Sequence, residues 1–130
     1  MLVRYWLVMA TSHRDLIAWQ QAMALVELVY RDTAYFPREE MFGLTMQTRK
    51  SAVSVPSNIA EGAARNTTGE LVYFLGIACG SIAELETQLA LAVRLGFMKA
   101  DAAAFGQADR VARLVRALRK SLKAKLAEEA

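Results

Sequence analysis

The sequence predicts an all-α fold, an antiparallel up-down-up-down four-helix bundle with a proline-bent second helix. Three observations predict it. Apolar residues recur at spacings of three and four along four long stretches. Only two prolines occur in 130 residues, while alanine and leucine are abundant, which favours helices over short strands. The links between the stretches are short, so consecutive helices pack side by side in opposite directions. A chain of this length forms one domain with a sizeable core, here residues 14–130, preceded by an N-terminal extension, residues 1–13.

The extension is apolar at residues 1–10 (MLVRYWLVMA) but far too short to span a bilayer, and it imitates a signal peptide only weakly. It is expected to pack on the bundle or on a partner. The first helix is expected after Ser12, an N-cap with Asp15 in the reciprocal position of a capping box. Leu16, Trp19, Met23, Val26 and Tyr30 give it an inward stripe, widened by Leu25 and Val29. Pro37 ends it, because the residue before a proline avoids helical geometry.

The second helix is expected over residues 38–64, with Glu39 and Glu40 complementing its positive end. Met46, Val53, Ile59 and Ala60 keep helical spacing on both sides of Pro56. An interior proline removes an amide hydrogen and crowds the carbonyl four residues back, which predicts a bend there. Ser54 and Ser57 are placed to bond backbone groups at that bend, and Glu61 and Arg65 stand four apart in the favourable acid-before-base order. Asn58 belongs to the same polar group.

Asn66, Thr67 and Thr68 separate this helix from the third, expected over residues 70–95. The third is apolar around most of its circumference and should be buried on several sides. Gly76 and Gly80, four apart, predict close approach of a neighbouring backbone, and Gly96 supplies the stop. Asp101 is expected to cap a fourth helix reaching residue 127, roughly 40 Å long. Val111, Leu114, Val115, Leu118, Leu122 and Leu126 form its inward stripe, with Arg113, Arg116, Arg119, Lys120 and Lys123 on the opposite side.

Charge is unevenly distributed along the chain. The formal net charge is +3, yet residues 110–125 carry seven bases and no acid. A basic face of this kind suits a polyanionic partner. Neutralising phosphates with lysine and arginine releases counterions and gives affinity without sequence readout. The candidate contacts are Arg110, Arg113, Arg116, Arg119, Lys120 and Lys123, with Arg49 and Lys50 as lesser candidates.

Other chemistries find little support. The single cysteine, Cys79, rules out an internal disulfide and fits a reducing compartment. It lies in the most apolar helix, where core packing is expected of it. His13 is the only histidine and sits beside the extension, so a nucleophilic triad is not expected. No Glu-x-x-His pair of the kind used in bundle metal sites occurs. Glu61, Glu84 and Gln88 are placed to meet between the second and third helices, with Arg49, Lys50 or Arg65 as partners. No catalytic residue, cofactor or metal is expected.

The segments SAVSVPSNIAEGAAR and FLGIACGSIAELETQL, in an order that includes WQ, FP and GLT, resemble the 23S rRNA-intervening sequence protein family. These are four-helix-bundle proteins, related to the accessory variability protein of diversity-generating retroelements. The likeness runs from about Leu16 to about Met98. It assigns Pro56, Asn58, Glu61, Arg65, Gly76 and Gly80 to a structural motif. It further implies a cytoplasmic bacterial protein assembled as a homo-oligomer, most simply a homopentamer. The implied partners are structured RNA or RNA–DNA intermediates, together with a reverse transcriptase; no membrane is expected as a partner, because Leu114, Leu118 and Leu122 are needed by the bundle core.

Two functions follow. One is a non-enzymatic, homo-oligomeric accessory protein that binds RNA or DNA phosphates, without sequence preference, through the fourth helix. The other is a homo-oligomeric interaction scaffold whose basic face meets an acidic protein.

Overall fold

A computed structural model describes residues 12–129, so the expected N-terminal extension falls, over residues 1–11, outside the described residues. Four helices follow: α1 (Ile17–Thr33), α2 (Leu44–Ala63), α3 (Thr68–Arg94) and α4 (Ala103–Glu129). Each packs on the next, and α4 closes back on α1, so α1 and α3 are diagonal to one another, as are α2 and α4. Side-chain bonds link the neighbours, and those of Arg49 and Arg119 join the early part of one helix to the late part of the other, as antiparallel packing requires. Arg49 reaches Thr33, Ser54 meets Ser81, Arg119 reaches Val72, and the Gln107 amide donates to the Gln21 carbonyl at 2.9 Å. The fold is an all-α four-helix bundle.

Ser12 and Asp15 form the expected capping box, but on a 3-10 turn, His13–Asp15. Leu16 then adopts extended geometry, so α1 begins one residue later. Its inward face is Ala18, Ala22, Leu25 and Val29, whereas Met23 and Tyr30 from the expected stripe are exposed. Small alanines let the neighbouring helices approach, and the bulkier residues beside them turn outward.

A second 3-10 turn, Arg38–Glu40, stands where the second helix was expected to begin. Glu40 still serves the helix's positive end, since its Oε1 accepts from the Leu44 amide at 3.0 Å. α2 runs uninterrupted through Pro56, which is buried. Val55 and Ile59 are fully enclosed, while Met46 and Val53 are exposed. Thr67 caps α3, its hydroxyl oxygen accepting from the Glu70 amide at 3.1 Å while it donates to Glu70 Oε1 at 2.9 Å.

α3 buries Leu71, Leu75, Ile82, Leu85 and Leu89 but leaves Tyr73, Ile77 and Leu91 outside, so it is less enclosed than its composition suggests. By length and composition it would pass for a membrane span, but 44% of its apolar window lies buried inside the bundle. Gly96, at φ +78°, ends it as expected, with Phe97 N–H bonded back to the Ala92 carbonyl at 2.8 Å. α4 starts two residues beyond Asp101, which therefore precedes the cap position. Its core face includes Ala104, Ala108 and Ala112 besides Val111, Val115 and Leu122, while Leu114, Leu118 and Leu126 lie at the margin.

The main core unites all four helices. A smaller cluster of Phe36, Leu44 and Ala92, with Phe97 and Met98 against it, closes the end where the α1–α2 and α3–α4 links meet.

Candidate nucleic-acid interface

The six candidate basic residues of α4 fall into three environments. Arg110, Arg116, Lys120 and Lys123 are exposed, and none of them is ion-paired among the described residues. Arg113 is also exposed but lies 3.3 Å from Asp109, one turn earlier on the same helix. An exposed pair of this type is worth under about 1 kcal/mol, so a phosphate readily displaces it.

Arg119 departs from the expected solvent-facing position. It is half-buried and folds onto α3, where Nε donates to the Val72 carbonyl at 3.0 Å. Gly76 makes the seat. A methyl group there would meet Arg119 Nη2 at 3.0 Å and Cζ and Nε at 3.2 Å. The glycine admits a guanidinium, not the neighbouring backbone expected from sequence. Gly80, its companion in the expected pair, has nothing within 4 Å of an added Cβ.

Beside that seat the α3–α4 groove holds a cavity of about 230 Å³ lined by Cys79, Arg116, Arg119, Lys120 and Lys123. Cys79 is half-buried against the core and borders this cavity, so core packing is only part of its environment. Four cations from two turns of one helix thus surround one concavity.

Arg49 and Lys50 do not join this surface, because α2 is diagonal to α4. Arg49 Nε donates to Thr33 Oγ1 at 2.8 Å, and its guanidinium lies 4.5 Å from the centre of the Tyr30 ring. It fastens α2 to α1. Lys50 lines a polar groove of about 390 Å³ between α2 and α3 with Ser51, Ser54, Ser81, Glu84 and Gln88. The expected meeting of Glu84 and Gln88 occurs there, and the buried Gln88 Oε1 finds no partner among the described residues.

Glu61 is elsewhere, paired with Arg65 at 2.8 Å near the end of α2, and Arg65 also covers the Phe74 ring. Asn58 Nδ2 donates to the Ser54 carbonyl at 2.8 Å and to Ser54 Oγ at 2.9 Å, while Ser54 and Ser81 share a 2.8 Å bond. Ser57 is exposed. Of these bonds only Ser54–Ser81 ties α2 to α3, and none reaches the Ala52 carbonyl that Pro56 leaves without its usual helical donor.

Sequence reasoning missed Gly62. A Cβ there would lie 2.8 Å from Phe74 Cβ and 3.0 Å from Leu71 Cδ1, so this glycine sets the α2–α3 spacing. An interior glycine costs a helix about 1 kcal/mol, which was signal enough to ask what it admits. Among the described residues no three histidine, cysteine, aspartate or glutamate side chains gather as a metal site.

A search of curated proteins finds no match. A family model described as 23S rRNA-intervening sequence protein matches residues 14–123, extending the likeness past Met98 through most of α4. With that match over most of its length, this four-helix bundle belongs to the 23S rRNA-intervening sequence protein family.

Proposed function

We propose that this protein is a non-enzymatic, cytoplasmic, homo-oligomeric nucleic-acid-binding accessory protein that holds RNA or DNA by its phosphates along α4. One observation carries the reading: Arg116, Lys120 and Lys123 stand exposed on one face, with no ion pair among the described residues and with Arg119 seated beside them. Arg110 and Arg113 extend the face toward the start of the helix. Contacts of this kind position a nucleic acid without reading its bases. The family's name, which refers to an intervening sequence of ribosomal RNA, is in keeping with such a partner. Repetition of the face around a homo-oligomer would add to its field. A reverse transcriptase is the further protein partner proposed by resemblance.

Reversing Arg116, Lys120 and Lys123 to glutamate tests the reading. The change moves each protomer's formal charge from +3 to −3 on residues outside the core. Helical content and oligomer size should be kept, while affinity for unrelated RNA and DNA sequences falls steeply. Each lost phosphate contact should also make the slope of log K against log salt shallower by about 0.7–0.9. A folded variant that binds as tightly, with an unchanged slope, would refute the assignment of α4 and favour the acidic-protein scaffold.

A further inference from the structure

The four cations of the α3–α4 groove do more than add charge to a face. Arg116, Arg119, Lys120 and Lys123 are three or four residues apart, so neighbouring pairs repel along the helix. None of the four has a carboxylate partner among the described residues. Arg119 is nonetheless held on α3 by the Val72 carbonyl, over a glycine that leaves it room. That bond uses Nε, and no hydrogen bond is found for Nη1 or Nη2 among the described residues.

A guanidinium fixed in this way is preorganised, so binding an anion costs it little further ordering. Phosphate offers several acceptor oxygens and full negative charge, matching an arginine fork ringed by further cations. We infer that this groove is a discrete subsite for one phosphate group, with Arg119 as its fixed donor, Arg116, Lys120 and Lys123 around it, and Cys79 on its wall. The inference deepens the proposed function, since the phosphate can belong to a nucleic-acid backbone, to a terminal phosphate or to free inorganic phosphate.

Cys79 is the only cysteine in the chain and borders the cavity, so it reports occupancy directly. The rate of its alkylation by iodoacetamide would be followed alone, with inorganic phosphate, and with one single-stranded oligonucleotide bearing either a 5′-phosphate or a 5′-hydroxyl. Anisotropy would follow oligonucleotide binding in parallel. Protection by both oligonucleotides supports a backbone phosphate in the groove. Protection by the 5′-phosphorylated strand alone supports a terminal one. Protection by inorganic phosphate without oligonucleotide binding keeps the subsite and removes the nucleic-acid reading. Oligonucleotide binding with no protection by any probe overturns the subsite and leaves α4 as a general basic face. No binding and no protection overturns both.

Gly76→Ala provides the second arm. It changes no charge and favours the helix, but the added methyl group crowds the Arg119 guanidinium and makes it shift within its seat by a few tenths of an ångström. Its melting temperature should equal or exceed that of wild type, while affinity for the protecting probe falls at least about tenfold. Unchanged affinity in the folded variant would overturn the role given to Arg119.

Discussion

Gly62→Ala and Gly80→Ala add the same methyl group to two interior helical glycines and should act with opposite sign. At Gly62 the new Cβ would stand 2.8 Å from Phe74 Cβ and 3.4 Å from Leu71 Cα, atoms that move only if α3 itself moves. Overpacking of this kind costs about 1–3 kcal/mol, against which alanine's helix propensity returns about 1 kcal/mol. The net loss should be up to about 2 kcal/mol. For a domain of this size, each kcal/mol shifts the melting temperature by about 3–5 °C. At Gly80 nothing among the described residues lies within 4 Å of the added Cβ, so only the propensity gain of up to about 1 kcal/mol remains. Far-UV circular dichroism melts at matched protomer concentration should place Gly62→Ala below wild type and Gly80→Ala above it. A Gly62→Ala protein melting at or above wild type would refute the view that this glycine sets the α2–α3 spacing. A Gly80→Ala protein melting lower would mean that something occupies a surface one protomer leaves open.

Pro56→Ala restores an amide hydrogen opposite the Ala52 carbonyl and is expected to straighten α2 and weaken assembly, despite alanine's higher propensity. An unchanged oligomer with raised thermal stability would show that a bend at Pro56 is dispensable. Assembly itself is expected because large apolar side chains remain uncovered on one protomer, including Tyr35 at 83% and Phe42 at 82% exposure. Light scattering at micromolar concentration should find a homo-oligomer, most simply a pentamer, and a monomer across that range would sink the expectation.

Fold class and helix order were legible in the sequence because apolar periodicity, Thr67, Gly96 and short links all point the same way. The inward faces were less legible. A stripe drawn through the largest apolar residues of α1 selected Met23 and Tyr30, but the core took Ala18 and Ala22 because close-packed helices favour small residues at their contact. The basic face was legible as charge and illegible as geometry. Periodicity places Arg119 among its neighbours, but its seat depends on Gly76, distant in sequence and brought opposite only by α3–α4 packing. The same limit applies to Gly62, whose close neighbours lie on the next helix.

The first segment of the family motif and the surface proposed to bind nucleic acid occupy different sides of the bundle, whereas Gly76 and Cys79 of the second segment border the cationic groove. Ser54, Asn58, Gly62 and Ser81 build the α2–α3 seam through hydrogen bonds and close approach, while Glu61 and Arg65 pair at its end. The cationic groove lies between α3 and α4, with α4 diagonal to α2. Substitutions at Ser54, Asn58 and Gly62 therefore act first on helix spacing and stability, and substitutions of the α4 cations act first on charge. Met41, Phe42, Met46 and Val53, exposed on α2 and its lead-in, also lie away from α4. An assembly built on those residues alone, and not on Tyr73 and Ile77 of α3, would leave the groove open in every protomer. Oligomer formation and anion binding are then separable by mutation, and loss of binding in an assembled, folded variant can be assigned to the groove itself.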